Sequence, residues 1–213
     1  MSAACAGEPV REFYEDVWSQ LPDDLTPYAF ARRRAFLLAA VGPGDRVLDV
    51  GCGEGAFCAE LEAAGAHPVG VDIAEQAVAR ARARHPHLRF EMAAPHGPLP
   101  FDDSEFDVVW ASEVIEHVAD TARWLSELRR VLRSGGRLLL TTPYHGRLKA
   151  AALALARFES HFDPLGQHLR FYTRRSLREL LQGFGFEDVD VATAGGPPLW
   201  RRTLLAAGRR RRF

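Results

Sequence analysis

Val47-Leu48-Asp49-Val50-Gly51-Cys52-Gly53-Glu54-Gly55 decides how this chain is read. A short β-branched run ends in three glycines at alternate positions, and Ala56 to Ala64 then reads as a helix closed by Gly65. A glycine-rich turn between strand and helix lets a ligand approach the backbone where no Cβ obstructs it. The spacing is Gly-x-Gly-x-Gly, not the Gly-x-Gly-x-x-Gly of dinucleotide folds, and Asp49 stands just before the turn. A carboxylate there would repel a pyrophosphate but suits a ligand bearing an ammonium or sulfonium group.

Outward from this turn the same rhythm repeats. Pro68-Val69-Gly70-Val71-Asp72 reads as a second strand, followed by an Ala- and Arg-rich helix from Glu75 to Arg84. Leu88 to Met92 and Asp107 to Trp110 continue the strand signal, and Trp124, Leu125, Leu128, Val131 and Leu132 form a helical stripe. Arg137 to Thr142 is an apolar strand stopped by Pro143. Strands and helices alternating so closely predict a mainly parallel α/β sheet, with ligands taken at the carboxyl ends of its strands. Asp72, which ends the second strand, is placed to accept both hydroxyls of a ribose; the competing reading makes it a cap for the following helix.

The flanks differ in character. Residues 9–41 read as two helices separated at Pro22 and Pro27, carrying Phe13, Val17, Trp18 and Leu21, then Phe30, Phe36, Leu37 and Leu38. After Pro143 the alternation lapses into an insertion with an amphipathic helix. Thr173 then caps a helix bearing Leu177, Leu180, Leu181 and Phe184, and late strands are expected near Glu187 to Ala192 and Leu199 to Ala206.

Composition narrows the function classes. The 213 residues are 47% hydrophobic and 26% charged with net charge −1, which excludes a mainly disordered chain and a wholly basic nucleic-acid coat. Cys5, Cys52 and Cys58 form no CxxC pair, which argues against a disulfide framework or thiolate zinc site. Neither a signal peptide nor an apolar run long enough to span a membrane is read, so a cytoplasmic location and no membrane insertion are expected. Arg209 to Arg212 read as a solvated, disordered tail without interleaved aromatics; a nucleic-acid partner is not expected.

Together with Val71-Asp72-Ile73, the run Leu99 to Val109, Ser112-Glu113-Val114-Ile115-Glu116-His117-Val118 and Leu132-Arg133-Ser134-Gly135-Gly136, the opening stretch resembles the class I S-adenosylmethionine-dependent methyltransferases. The likeness covers residues 45–208. It implies a Rossmann-like fold: a seven-stranded, mostly parallel sheet with an antiparallel last strand and helices on both faces. It also implies S-adenosylmethionine as cofactor and S-adenosylhomocysteine as product. Carried over, Gly51, Cys52 and Gly53 pass under the methionine part, Asp49 holds its amino group, Asp72 takes the ribose hydroxyls and Ile73 packs on the adenine. Ser112 completes the cofactor set. Many relatives place an Asp after the third strand, where this chain has Ala93-Ala94-Pro95-His96, so no residue is assigned to the adenine amino group.

Within that superfamily, Glu113 to His117 and the later Thr142-Pro143-Tyr144 are most similar to the ubiquinone-biosynthesis O-methyltransferases. The expected organisation is one methyltransferase domain over 1–213: a helical lid at 9–41, a cofactor-binding core at 45–142, a lid insertion at 143–172, a helix and strands at 173–208 and a basic tail at 209–213. Glu113, Glu116 and His117, read as helical, would share one face. His117 is the candidate general base, with Glu113, Glu116, His168 and Tyr144 on the substrate side. The combination with His168 is also similar to the small-RNA 2′-O-methyltransferases, in which such side chains hold a divalent metal. An unassisted His117 base, a metal site and a structural polar cluster therefore all stand as readings. The expected reaction is methyl transfer to an oxygen of a small-molecule acceptor by a monomer or homodimer. N-methylation, metal-assisted RNA methylation, a nicotinamide-dependent oxidoreductase and a silent cofactor-binding module are the alternatives.

Overall fold

The computed structural model describes residues 8–22, 26–95, 97–146, 150–151, 155–156, 169–197 and 201–212. Two N-terminal helices, α1 (Glu8–Gln20) and α2 (Phe30–Leu38), precede the alternating core. The core runs β1 (Arg46–Val50), α3 (Ala56–Ala63), β2 (His67–Asp72), α4 (Glu75–Arg84), β3 (Arg89–Met92), β4 (Phe106–Ser112), α5 (Thr121–Val131) and β5 (Leu132–Pro143). Helix α6 (Arg174–Gly183) and strands β6 (Phe186–Ala194) and β7 (Thr203–Arg210) follow. The seven strands lie in the order β3-β2-β1-β4-β5-β7-β6. All neighbouring pairs from β3 to β5 are parallel, and β7 runs antiparallel to both β5 and β6. The fold is the expected one, including the single reversed strand.

Period-two alternation assigns the faces. Leu48, Val50, Val109 and Ala111 point to one side, where Leu125, Leu128 and Val131 of α5 and Leu177 and Leu181 of α6 cover them. Val47, Val108 and Trp110 point to the other, against Phe57 and Leu61 of α3 and Leu37 of α2. Parallel strands covered on both faces read as near-continuous apolar runs, which is why β1 and β4 carry so little polar sequence. The buried exception is Asp49, one pleat beyond Val47. Thr173 caps α6 as expected, in a reciprocal capping box with Ser176.

Three expectations are corrected. The last strand starts and ends later than read, so Arg209 and Arg210 belong to β7 and not to a solvated tail. Arg209 pairs with Arg137 and Glu187, and the Arg210 guanidinium donates to the carbonyls of Arg130 and Leu132. Strand pairing, on both sides at Arg209 and on the β6 side at Arg210, overrides the charge of these residues. Second, the strand expected from Arg137 begins earlier, with Leu132 to Gly136 as the irregular start of β5: Phe106 pairs with Leu132 and Val108 with Arg137, so the residues between loop out. Third, Glu113 to His117 do not form a helix. Glu113 takes a left-handed φ of 57°, and residues 115–117 turn back on themselves. The Glu113 N–H still pairs with the Thr141 carbonyl at 2.9 Å, so β5 claims the backbone before a helix can begin. Most of the lid insertion at 143–172, with His168, Phe158 and Phe162, lies outside the described residues, as does His96.

Candidate active site

A cavity of about 510 Å³ opens at the carboxyl ends of β1, β2 and β4. Its floor is made by the glycine loop after β1. The Gly51 and Cys52 N–H groups donate to the Val71 carbonyl at 2.8 and 3.1 Å, tying the loop to β2. Gly51 has φ 72°, and a Cβ there would lie 2.5 Å from Val114 Cγ2, so the loop and the turn after β4 can meet only if residue 51 has no side chain. Asp72 braces the loop from the neighbouring strand: Oδ2 accepts the Gly53 N–H and Oδ1 the Ala74 N–H, both at 3.0 Å. It does not cap the next helix in the ordinary sense, because α4 begins after Ala74 and has no side-chain cap of its own. Burial raises the Asp72 carboxyl above its ordinary value, against the pull of its backbone donors. Each carboxylate oxygen keeps a lone pair for a further donor.

The opposite wall comes from β4 and the turn beyond it. Ser112, Glu113, Val114 and His117 line the cavity, while Glu116 is 1% exposed beneath them. Glu116 Oε2 accepts from Thr142 Oγ1 at 2.9 Å, and its Oε1 has no hydrogen-bond partner and lies 3.8 Å from His117 Nε2. Burial, then the neighbouring Glu113, hold the Glu116 carboxyl up at about 8. Glu113 accepts from Thr141 Oγ1 at 2.9 Å and faces Arg33 Nη2 at 3.4 Å. Arg33 comes from α2, is 4% exposed and also donates to Ser112 Oγ at 3.3 Å.

Helix α1 supplies the third wall, through Val10, Phe13, Tyr14 and Trp18. The Tyr14 ring stands edge-on to the His117 imidazole, 6.1 Å between centroids and 88° between planes. Burial, then the charges of Glu116 and Asp72, push the Tyr14 hydroxyl up to about 12, so it is a neutral donor at any ordinary pH. Trp18 lies over the glycine loop, with Cη2 3.0 Å from where a Gly53 Cβ would stand. Beyond Asp72 the lining turns apolar, with Ile73, Ala93 and Leu99.

Of the residues singled out from sequence, Gly51, Asp72, Ile73, Ser112, Glu113 and His117 converge on this cavity. Asp49, Cys52 and Gly53 are not among its lining residues. Asp49 points to α3, accepts from Cys58 Sγ at 3.5 Å and is 1% exposed; burial lifts its carboxyl to about 7. Cys52 packs with Cys58, Val78, Ala81 and Phe90. Tyr144 sits away from the cavity, bridging to Tyr172. Arg33 was missed altogether and Tyr14 passed unremarked. Arg33 is the middle of three consecutive arginines, Arg32 to Arg34, so nothing local set it apart from its exposed neighbours. For the second, the available signal was a tyrosine one turn before Trp18. Among the described residues no group of three His, Cys, Asp or Glu side chains is placed to hold a metal ion. No described helix is long and apolar enough to cross a membrane.

The model of a methyltransferase-domain family matches residues 18–191. A probable S-adenosylmethionine-dependent methyltransferase of Mycobacterium tuberculosis is 37% identical over 186 residues, covering 84% of this chain and 64% of that protein. The chain thus spans somewhat under two thirds of this relative's length. A ubiquinone biosynthesis O-methyltransferase of Aromatoleum aromaticum is 31% identical over 170 residues, covering 73% of this chain and 70% of the relative. Among solved structures, the phosphoethanolamine N-methyltransferase 2 of Haemonchus contortus in complex with S-adenosyl-L-methionine has a TM-score of 0.68 at 16% identity, over 94% of this chain and 56% of that one. That last likeness is one of fold.

Proposed function

Because the chain belongs to the S-adenosylmethionine-dependent methyltransferase family, we propose that it methylates an oxygen of a small-molecule acceptor, with His117 as the base. The observation that carries this reading is the pairing of Asp72 and His117 on opposite walls of one cavity. The residues fit the cofactor: Asp72 retains acceptor capacity for two ribose hydroxyls, Ile73, Ala93 and Leu99 offer an apolar wall to a flat ring, and the loop at Gly51 leaves no side chain in the way. When bound, S-adenosylmethionine supplies an electrophilic methyl group for in-line displacement. We assign Gly51, Asp72, Ile73 and Ser112 to direct contact with it. Asp49, Cys52 and Gly53 then support the loop from behind.

An alcohol or phenol must lose its proton as it attacks. His117 stands at the cavity wall with Glu116 Oε1 on one side and the Tyr14 ring on the other, so its imidazole is held in place to take that proton. The apolar side chains of Phe13, Val114 and Val118 exclude water from the transfer. Orientation of acceptor and cofactor in one closed space supplies much of the acceleration. The name of the O-methyltransferase relative supports oxygen as the acceptor atom.

The test has two stages. Calorimetry is expected to show S-adenosylhomocysteine binding to the free protein. A screen of phenols, alcohols and amines with methyl-labelled S-adenosylmethionine is expected to return a hydroxylated acceptor, turned over equally with and without EDTA. Amines alone as acceptors would overturn the oxygen assignment. Loss of turnover in EDTA with recovery on magnesium or manganese would replace the unassisted base with a metal site completed by His168.

A further inference from the structure

We propose that Arg80 is a positioning residue for the cofactor cavity, holding its α1 wall and its glycine loop as one bonded unit. The proposal rests on reading the cavity as the S-adenosylmethionine site. Its starting point is that α1 and α4 each lack what the other provides. Helix α4 begins after Ala74, whose side chain cannot cap it, so its first N–H groups have no partner within the helix. Glu15 of α1 accepts two of them, from Glu75 and from Gln76, the latter at 3.1 Å. Conversely, α1 has no basic residue in its last turn to answer its terminal carbonyls. Arg80 of α4 acts there: Nη2 donates to the Trp18 carbonyl in that turn at 3.1 Å and to the Leu21 carbonyl just past it at 3.2 Å, and Nη1 to those of Leu21 and Pro22 at 3.2 and 3.3 Å.

The same guanidinium reaches the glycine loop. Its Nη1 lies 3.0 Å from Oε1 of Glu54, a carboxylate only 6% exposed that immediately follows Gly53. Between these two attachments Trp18 rests on Gly53, and the Arg80 Cζ stands 6.0 Å from the Trp18 ring. Arg80 is not among the cavity's lining residues, so it acts through others: through α1 on Val10, Phe13, Tyr14 and Trp18, and through Glu54 on the loop. A planar fork with five donors can make this junction, whereas a lysine ammonium cannot span the same acceptors.

The experiment compares the full chain with Arg80→Ala, Arg80→Lys and Arg82→Ala, using S-adenosylhomocysteine as the probe. Arg82 is the control, since it lies in the same helix but donates to the Phe90 carbonyl, away from α1. In Arg80→Ala, amide exchange of residues 10–20 should quicken. If α1 is then docked in about a tenth of the molecules, the apparent Kd measured by calorimetry rises about tenfold. Arg80→Lys, which keeps a charge beside Glu54, should fall between this variant and the wild type, and it serves if the alanine variant does not fold. Arg82→Ala should leave the Kd unchanged, whatever it costs in thermal stability. An unchanged Kd in both Arg80 variants would overturn the proposal, and so would an equal weakening in Arg82→Ala. If the wild-type protein does not bind S-adenosylhomocysteine at all, the cofactor reading fails first and this proposal falls with it.

Discussion

At the end of β2, Asp72 engages main-chain donors on both carboxylate oxygens, whereas at the end of β4 Glu113 and Glu116 are held by side chains from other elements. The first region is a backbone construction: left-handed glycines, a strand end and a carboxylate that fixes the loop's amide groups. The second is a buried charge arrangement in which Arg33, Thr141 and Thr142 share two acids, one of which keeps an unbonded oxygen beside His117. A backbone construction can hold a ligand that is the same in every turnover. A set of buried ionisable groups can instead respond to a proton that moves. On the proposed reading binding falls to one wall and chemistry to the other, and each side can be broken separately.

The sharpest break is His117→Ala. It should lower turnover of the acceptor found by screening about 10²- to 10⁴-fold, the usual cost of removing a general base, while calorimetry finds S-adenosylhomocysteine affinity nearly intact. Equal loss of both would mean that the two walls are one functional unit. Next in size is Arg33→Leu, which strands Glu113 against buried neighbours and should cost about 3 kcal/mol of stability. Chemical denaturation would report it, and adding Glu113→Gln should recover much of the loss. No recovery would show that Arg33 matters through packing alone.

Asp72→Ala attacks the other wall. Losing a charged acceptor should weaken S-adenosylhomocysteine binding about 10- to 100-fold, with Asp72→Asn in between because the amide keeps one acceptor oxygen. Unchanged affinity would remove the ribose assignment. The last test concerns Asp49, whose carboxyl is raised from 3.8 to about 7 by burial. The folded protein holds that proton while the unfolded chain has released it, so the group's contribution is complete below about pH 4 and is lost as pH rises to about 7. Asp49→Asn should flatten this part of the stability profile. Thermal melts across that range would show it, and an identical slope in the variant would refute it.

The same contrast explains what could be read from the sequence. Strand–turn–helix order, the glycine loop and Asp72 were legible because each depends on residues close in the chain, and the resemblance carried by those motifs supplied the seven strands and the reversed last one. Glu113, Glu116 and His117 were also found. Their geometry was not, because a helical reading of four-residue spacing had no way to include the pull of Thr141 on the Glu113 N–H. Arg33 lies 79 residues before Ser112, and no local pattern links the two. Asp49 was read as facing the ligand because it stands next to the glycine loop, but one pleat of alternation turns it to α3. The arginines at 209 and 210 were assigned by charge, and strand pairing decided otherwise.

The position of β7 between β5 and β6 has a consequence for how this protein is made. During synthesis the strand that closes the sheet is the last described element to emerge, so β5 must wait with an open hydrogen-bonding edge while α6 and β6 appear. An unpaired edge is a template for pairing with other chains. Nascent molecules are therefore most exposed to misassembly in the interval between β5 and β7, and a ribosome pausing there would lengthen that exposure. Synonymous codon changes that slow translation of residues 174–202 should lower the soluble yield of an unaltered sequence, while the same slowing placed before residue 46 should not.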